Sequence, residues 1–327
     1  INFSLNKDFE TIKRFLVYGY KSIYKKNKSF YKEINILKQS HSMMLDIDLN
    51  IKFNKFWNPS ISENSMNLNE NIEMAKHLID KSLKLRLRSD VPVAFNLSGG
   101  IDSSSLVALA SKSYSGKLHT FSVIDDDPRY DESENIDLTV NRLNTNHTNI
   151  NIKDYFNFDS LSNLIKNHDQ PLSTINYFAH AILQSKISNS GFKVSISGTA
   201  ADEIFAGYWD HHLFYLYDNF NSVNYDLSLS NWKKFILPNI ENELLKDPRL
   251  FSNKGTNFRG HIYLKSNIYA SFLSEPYSEN LIDENFTSFG ILKNRMMNEL
   301  FHEITPICLQ NEDLNSMYYS VENRSPF

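Results

Sequence analysis

Short apolar runs alternate with helical patterns through the middle of this chain, and this alternation restricts the fold more than any other feature. Four segments indicate strands, namely VPVAFNL, LHTFSVI, HTNINI and FKVSISG. The segments between them carry apolar residues at helical spacing. Strands that alternate with helices favour a mostly parallel sheet covered by helices on both faces. The predicted fold class is therefore α/β, with a doubly wound parallel sheet.

The two flanks of this region have different patterns. Residues 1–59 contain short alternating stretches around Ile34 and Ile36 and again over 45–51, which indicate strands and hairpins. From about residue 205 the chain is aromatic and helix-like, without a strand pattern. We therefore expect an amino-terminal domain over 1–59, a main domain over 60–327, and a helical carboxyl-terminal extension within the main domain.

Composition excludes several classes of protein. The chain has 327 residues, a formal charge of -4 and no basic stripe, which argues against nucleic-acid binding and against binding to an anionic membrane. No apolar run is long enough to span a bilayer. The single cysteine excludes an internal disulfide framework and fits a reducing compartment, so we predict a cytoplasmic protein. A start at Ile1 and a stop at ENRSPF lead us to expect a longer polypeptide.

The first strand leads into an unusual turn with the sequence SGGIDSSS. Gly99 and Gly100 permit a left-handed backbone and leave room for a ligand against the main chain. The helix that follows directs its free N–H groups at the same point, and the hydroxyls of Ser103, Ser104 and Ser105 add donors. This arrangement predicts an anion site, most plausibly for phosphate. The spacing is neither a Walker P-loop nor GxGxxG.

A second turn repeats the arrangement. The strand VSIS is followed by Gly198, a short loop, and then Asp202 and Glu203 at the start of a helix. The carboxyl ends of parallel strands meet at one edge of a sheet, so Asp102 and Asp202 should lie on the same side. Phosphate beside a carboxylate requires a divalent cation between them, and Mg²⁺ prefers carboxylate and phosphate oxygens. The two turns together predict a Mg²⁺–nucleotide site.

These motifs resemble the asparagine synthetase family, the glutamine-hydrolysing branch of the N-type ATP pyrophosphatases (the PP-loop superfamily). The resemblance covers roughly residues 60–327 in the family's order. The stretches that carry it are SDVPVAFNLSGGIDSSSLVALA, LHTFSV, YDESENIDLTVNRLNTNHTNI, SISGTAADEIFAGY and EDLNSMYYSVENRSPF. Residues 1–59 are similar to the tail of that family's amino-terminal glutaminase domain, including the junction at Trp57.

The resemblance implies an ATP-dependent amide ligase with ATP and Mg²⁺ as cofactors. A substrate carboxylate would attack the α-phosphorus to give an acyl-adenylate and pyrophosphate, and ammonia or an amine would then form the amide. The residues that match the nucleotide-binding positions are Leu97, Ser98, Gly99, Gly100, Asp102, Ser103, Val123 and Gly198. Asp102 and Asp202 match the metal ligands, and with Arg324 they form the predicted catalytic set. Other matches near the substrate are Glu312, Asp313, Ser316 and Glu322.

Three departures from the family pattern change what is expected. The family's glutaminase needs an amino-terminal cysteine, but this chain starts with Ile1 and its Cys308 lies far along the sequence, so it should not hydrolyse glutamine itself. Thr199 stands where asparagine synthetases usually carry a glutamate that is linked to attack by ammonia. A lysine expected to support adenylation would fall beyond Phe327.

Several alternatives therefore stay open. Relatives with other nucleophiles, such as β-lactam synthetases and lasso-peptide macrocyclases, tolerate change at the position of Thr199, so the acyl substrate is a small molecule, a sugar acid or a peptide. A non-catalytic ATP-binding subunit and a homodimer are further alternatives. Adjacent His211 and His212 lack the spacing of a metal site. RNA modification by a related ATP pyrophosphatase is disfavoured by the acidic charge balance.

Overall fold

The computed structural model describes residues 4–62, 64–114, 116–127, 129–252, 260–263, 265–279 and 286–327. The chain forms two compact units. The sheet unit consists of Asn64–Ala201 together with Cys308–Phe327. The helical unit consists of the amino-terminal stretch up to position 63 together with Asp202–Ile307.

The sheet unit is built on a five-stranded sheet in which every pairing is parallel. The strand order is β5-β4-β3-β6-β7. The bounds are β3 (Val93–Asn96), β4 (His119–Ile124), β5 (Asn146–Asn151), β6 (Val194–Ile196) and β7 (Glu322–Arg324). The chain forms the central strand β3 first, adds β4 and β5 on one side of it, and then adds β6 and β7 on the other side. β3 therefore lies at the point where the strand order reverses.

Helices cover both faces of this sheet. Their bounds are α2 (Leu68–Arg86), α3 (Ile101–Ala110), α4 (Ser133–Leu143), α5 (Phe158–His168), α6 (Asn176–Asn189) and α12 (Thr305–Tyr318), the last belonging to this unit from Cys308 onward. Alternate residues of β3 point to opposite faces. Phe95 packs in a cluster with residues of α2, α3 and α4, whereas Ala94 packs in a cluster with residues of α5 and α6. The sheet is therefore doubly wound.

Local signals explain where these helices begin and end. Asn67 and Glu70 form a reciprocal capping box at the start of α2, in which each side chain accepts a hydrogen bond from the other residue's N–H. Gly191 follows the end of α6 with φ of 88°, the left-handed conformation that commonly terminates a helix.

The helical unit contains one antiparallel hairpin, β1 (His41–Leu45) with β2 (Ile51–Lys55). Its α-helices are α1 (Phe9–Tyr18), α7 (Ala201–Phe205, from Asp202 onward), α8 (Trp209–Asp218), α9 (Tyr225–Asn231), α10 (Ser266–Ala270) and α11 (Ile291–Asn298). Short 3₁₀ segments occur at Tyr20–Lys26, Leu237–Asn239 and Glu243–Lys246, and π-helical turns at Trp232–Ile236 and Glu299–Glu303; a further 3₁₀ turn, Ile152–Asp154, belongs to the sheet unit. Within the described residues, no helix combines the length and the apolar composition needed to cross a bilayer.

The four predicted strands of the α/β region are confirmed. A hairpin forms in the amino-terminal stretch as expected, but the alternating stretch 45–51 that indicated it is mostly the turn between β1 and β2. Two further expectations about strands are wrong. Ile34 and Ile36 lie outside any strand, and only an isolated bridge joins Lys28 to Asn35 nearby. The expectation of no strand beyond residue 205 fails at β7, whose polar sequence Glu-Asn-Arg has no strand signature and is extended because it pairs with β6.

Candidate functional site

A cavity of about 380 Å³ opens at the carboxyl ends of β3, β4 and β6 in the sheet unit. Its volume lies within the range of small-molecule sites, and its place is the topological switch point where open α/β sheets bind ligands. Residues from both glycine turns, from α6 and from α12 line it: Asn96, Leu97, Ser98, Gly100, Asp102, Ser103, Phe121, Ser122, Val123, Glu132, Ala179, His180, Leu183, Ser197, Gly198, Thr199 and Glu312.

The first glycine turn is held by its own serines. Gly99 has φ of 84°, and a Cβ there would lie 3.1 Å from the Glu132 carbonyl oxygen and 3.2 Å from Ile136. The Ser98 N–H donates to Ser103 Oγ at 3.1 Å, and Ser103 Oγ donates to the Gly100 carbonyl at 3.2 Å. The turn is therefore fixed in shape, with the start of α3 directed at the cavity.

Only one of the three serines predicted to supply hydroxyls lines the cavity. Ser103 does so, and its Oγ hydrogen-bonds within the turn. Ser104 and Ser105 line a different, shallow groove between α3 and α4, where Ser104 Oγ accepts a hydrogen bond from Thr139 at 3.3 Å. Successive helical residues are about 100° apart around the axis, which is why three adjacent serines cannot serve one ligand.

The second glycine turn lies directly against the first. A Cβ on Gly198 would lie 3.0 Å from the Ser103 backbone nitrogen and 3.2 Å from Asp102 Cβ. Only a glycine allows this approach without displacing the start of α3. The structure thus brings together the two turns that the sequence singled out, and it does so through main-chain contact.

Apolar side chains from the end of β3 and from β4 also line the cavity. Leu97 is buried, its N–H donates to the Phe121 carbonyl at 2.9 Å, and its carbonyl accepts from Ser122 Oγ. Val123 is half-buried and lines the cavity from β4. Leu97 and Val123, two of the residues that match nucleotide-binding positions, therefore lie at the cavity wall.

The charged residues that line the cavity are all carboxylates: Asp102, Glu132 and Glu312. No lysine or arginine is among these lining residues. A bound polyphosphate would therefore face the negative charge of these carboxylates and find only neutral donors, namely main-chain N–H groups and hydroxyls, unless a divalent cation accompanied it. Among the residues that the structure describes, no group of three or more His, Cys, Asp or Glu side chains forms a preformed metal cage.

Asp202 belongs to the helical unit, at the start of α7. Burial raises the pKa of its carboxyl, and the nearby Glu299 carboxylate raises it further, while His211 opposes the shift. Gly207 packs on this side chain so closely that a Cβ would lie 1.9 Å from Asp202 Oδ1. The Gly207 N–H also donates to the Asp202 carbonyl at 2.9 Å. Residues after the helix therefore fix the orientation of this carboxylate.

Arg324 is not among the residues that line the cavity. Its guanidinium donates to the carbonyl oxygens of Arg86 at 2.6 Å and Arg88 at 2.8 Å, at the end of α2. It also pairs with the exposed Glu322 at 2.8 Å. These contacts fasten the edge strand β7 to α2. In this structure Arg324 therefore connects β7 to α2 and does not line the cavity.

Of the four further matches near the carboxyl terminus, Glu312 alone lines the cavity. Its carboxylate accepts hydrogen bonds from Thr199 Oγ1 at 2.6 Å, Asn323 Nδ2 at 2.7 Å and Ser197 Oγ at 3.2 Å. Asp313 is exposed, and buried Ser316 Oγ bonds the Glu312 carbonyl within α12. The helical period separates Glu312 from its neighbours in sequence.

Sequence reasoning missed the contribution of α6. His180 lines the cavity between Ala179 and Leu183, and burial lowers the pKa of its imidazole, which keeps it neutral near neutral pH. The histidine interrupts the apolar run YFAHAIL, and that interruption was the available signal. The adjacent His211 and His212 serve the helical unit instead: His211 is buried and hydrogen-bonds Glu299 at 2.8 Å, and His212 packs beside Trp209.

Comparisons with known proteins found several similar sequences. The family model for asparagine synthase matches residues 74–327. A putative glutamine-hydrolysing asparagine synthetase from Methanocaldococcus jannaschii is 31% identical over 189 residues, which cover 56% of this chain and 36% of that protein. The amidase chyE of Penicillium rubens is 25% identical over 200 residues, covering 56% of this chain and 30% of that protein.

A solved structure, the U34-tRNA thiolase NcsA from Methanococcus maripaludis, matches with a TM-score of 0.32 and 18% identity over 68% of this chain and 86% of that chain. That TM-score is too low to bear on function. The chain spans about a third of the length of the two curated relatives. The family match itself covers most of the chain, and the chain therefore belongs to the asparagine synthase family.

Proposed function

We propose that this chain is the ATP-dependent part of an amide-forming ligase that works through an acyl-adenylate. The observation that carries the proposal is the cavity at the switch point, which is lined by two glycine turns in main-chain contact and by the carboxylates of Asp102 and Glu312. Such a cavity suits a nucleoside triphosphate at the turns and a second substrate beside it.

The first turn and the start of α3 would hold the pyrophosphate part of ATP. The first N–H groups of a helix have no carbonyl partner within the helix and carry positive partial charge. Gly99, Gly100 and Gly198 present no side chain, which lets an anion approach the backbone. Ser98 and Ser103 would hold the turn in shape, and Leu97 and Val123 would face the adenosine.

Asp102 and Asp202 would hold Mg²⁺. When bound, the ion neutralises phosphate charge and polarises the oxygens at the reacting phosphorus. Asp102 would supply its carboxylate from the first turn of α3, and Asp202 from the first turn of α7, with Gly207 fixing the Asp202 side chain.

The reaction would proceed in two steps, adenylation of the substrate carboxylate and attack by the nitrogen nucleophile. A carboxylate oxygen of the substrate forms a bond to the α-phosphorus, the bond from that phosphorus to the β-phosphate oxygen breaks, and pyrophosphate leaves. A nitrogen nucleophile then forms a bond to the acyl carbon, and AMP leaves with the electron pair of the broken C–O bond. The chain's contribution is orientation and fixed electrostatic stabilisation.

The names of the relatives bear on the acyl substrate. They include asparagine synthetases and an amidase, so aspartate is one candidate and a different carboxylate is another. The assignment of residues 1–59 to the tail of a glutaminase domain and the cytoplasmic location remain predictions.

The test is carboxylate-dependent exchange of radiolabelled pyrophosphate into ATP, measured on the full polypeptide. Aspartate, other amino acids, sugar acids and peptides would be offered in turn with Mg²⁺. We expect exchange with one of these classes, and its loss in Asp102→Asn and in Asp202→Asn. Asp137→Asn, on the exposed face of α4, is the matched control and should keep wild-type exchange.

Two results would contradict the proposal. Wild-type exchange in both variants would remove the metal assignment. ATP binding without exchange, for every carboxylate offered, would favour a subunit that binds ATP without adenylating a substrate.

A further inference from the structure

The helical unit contains a cavity of about 610 Å³ that the proposed function does not use. Its volume lies within the range of small-molecule sites. Six of the residues that line it are aromatic: Tyr18, Tyr20, Tyr208, Trp209, Tyr263 and Tyr269. It shares no lining residue with the cavity at the switch point. The helical unit therefore offers a second place for a ligand, built from different residues.

The aromatic walls of this cavity are held by contacts within the unit. Tyr18 Oη accepts a hydrogen bond from the Glu279 N–H at 2.8 Å, and the Tyr18 ring meets the ring of Tyr263 edge to face, with centroids 5.6 Å apart. The Tyr208 hydroxyl donates to Glu203 at 2.8 Å. Because both hydroxyls already have protein partners, Tyr18 and Tyr208 offer a ligand mainly the flat apolar surface of their rings. Such surfaces favour a planar aromatic group.

The lining runs from the surface into the core of the unit. Trp209 and Tyr269 are exposed, whereas Val17 and Tyr263 are buried. A ligand that enters beside Trp209 and Tyr269 therefore loses contact with water as it reaches the buried residues. That loss is favourable for an apolar ring and costly for a charged group without a partner.

The carboxylate of Asp210 lines the cavity but is already paired. His261 Nε2 lies 2.9 Å from Asp210 Oδ2, and Arg295 Nε lies 3.7 Å from the same oxygen. Burial opposes ionisation of Asp210, but the hydrogen bond from His261 and the charge of Arg295 bring the pKa of its carboxyl below the usual range. The negative charge of Asp210 is therefore shared with two basic neighbours.

Lys21 also lines the cavity and is half-buried. Within the part of the chain that the structure describes, its ammonium group has no hydrogen bond and no ion pair. Burial lowers the pKa of Lys21 and the charge of Arg295 lowers it further, while nearby carboxylates oppose the shift. An ammonium group that has lost water without gaining a partner is costly, and an anion beside it would remove that cost.

We propose that the cavity of the helical unit binds a small aromatic carboxylate, with its ring packed against the aromatic side chains and its carboxylate hydrogen-bonded to the Lys21 ammonium. Lys265 is an exposed lining residue, and its charge attracts an anion to the opening. The ligand need not be a substrate of the ligase, since no residue proposed for that reaction lines this cavity.

The test is isothermal titration calorimetry on the full polypeptide with four probes: indole-3-acetate, phenylacetate, the neutral indole-3-acetamide, and the non-aromatic cyclohexylacetate. We expect the two aromatic carboxylates to bind. Indole-3-acetamide should bind at least about tenfold more weakly than indole-3-acetate, which corresponds to the loss of one charge-assisted hydrogen bond. Cyclohexylacetate should bind more weakly than phenylacetate, because it presents no flat ring to the aromatic walls.

Variants of Lys21 locate the site. Lys21→Met should weaken binding of indole-3-acetate by at least about tenfold, and Lys21→Arg, which keeps the charge, should stay within about threefold of wild type. Lys233→Met, at an exposed lysine of the helical unit that does not line the cavity, is the matched control and should bind like wild type. Because the Lys21 ammonium has no protein partner among the described residues, Lys21→Met should not lower the free energy of unfolding.

Four results would overturn the inference. Absence of binding by both aromatic carboxylates at millimolar concentration removes the site. Equal binding of indole-3-acetate by wild type and Lys21→Met removes the contact with Lys21. Equal affinity for phenylacetate and cyclohexylacetate removes the preference for an aromatic ring. A fall in the free energy of unfolding of Lys21→Met assigns Lys21 to balancing the buried carboxylates of the unit instead of holding a ligand.

Discussion

Substitution of Gly99 by alanine tests whether the phosphate-binding turn has room for a side chain. The backbone at Gly99 has φ of 84°, and a Cβ would lie 3.1 Å from the Glu132 carbonyl oxygen, 3.2 Å from Ile136 Cγ1 and 3.3 Å from Asn135 Cβ. Comfortable carbon contacts are about 3.5–4.0 Å. The neighbours would have to move by a few tenths of an ångström, and buried Ile136 is held in the core beneath the turn.

The expected cost has two parts. A left-handed alanine costs about 1–2 kcal/mol, of which the stiffer unfolded chain returns about 0.4–1 kcal/mol. Crowding of a packed site costs a further amount of about 1–3 kcal/mol. Gly99→Ala should therefore destabilise the sheet unit by about 2–4 kcal/mol. Gly191 has φ of 88°, but a Cβ added there would meet nothing within 4 Å, so Gly191→Ala should cost only the backbone part, about 1 kcal/mol.

Urea unfolding followed by far-ultraviolet circular dichroism is the appropriate assay. The three tryptophans, Trp57, Trp209 and Trp232, all belong to the helical unit, so their fluorescence would not follow the sheet unit. The free energy of unfolding would be compared for wild type, Gly99→Ala and Gly191→Ala. Equal losses in the two variants would show that the contacts with α4 contribute nothing, and would refute the steric part of the reasoning.

Three further predictions concern the helical unit. Gly207→Ala should displace the Asp202 carboxylate, because a Cβ would lie 1.9 Å from Oδ1. The end of an aspartate side chain moves at little cost, so the free energy of unfolding should fall by less than about 1 kcal/mol. The Mg²⁺-dependent exchange of pyrophosphate into ATP should fall at least tenfold. Burial would raise the pKa of Glu279, but the hydrogen bond from Arg14 contributes to lowering it to about 2, below the usual 4.5. Stability from the contacts of Glu279 with Arg14 and Lys26, together at most about 3 kcal/mol, should therefore be present above pH 4.5 and disappear as the pH falls toward 2. Glu279→Gln should flatten that part of the curve when denaturation is measured at a series of pH values. Ala206 has φ of 58°, so Ala206→Gly should raise the free energy of unfolding by up to about 1 kcal/mol, and a loss instead would show that the left-handed backbone is not strained.

The sequence by itself determined the sheet and its turns. Alternation of strands and helices predicted a parallel α/β sheet, because each pattern arises from side chains adjacent along one element. The glycines of both turns could be recognised because a left-handed backbone and close main-chain approach leave little choice of residue. Gly99 and Gly198 lie at the cavity or directly against its residues for these local reasons.

Tertiary structure alone decided the rest of the site. β7 is polar and short, and it becomes a strand only through pairing with β6. Glu312 and Thr199 lie 113 residues apart, and no local pattern joins them. The same holds for Arg324, which the sequence suggested as catalytic but which donates to carbonyl groups at the end of α2 and pairs with Glu322. Periodicity records which residues share one face of an element, whereas the neighbours of that face are chosen by packing among segments distant in the chain.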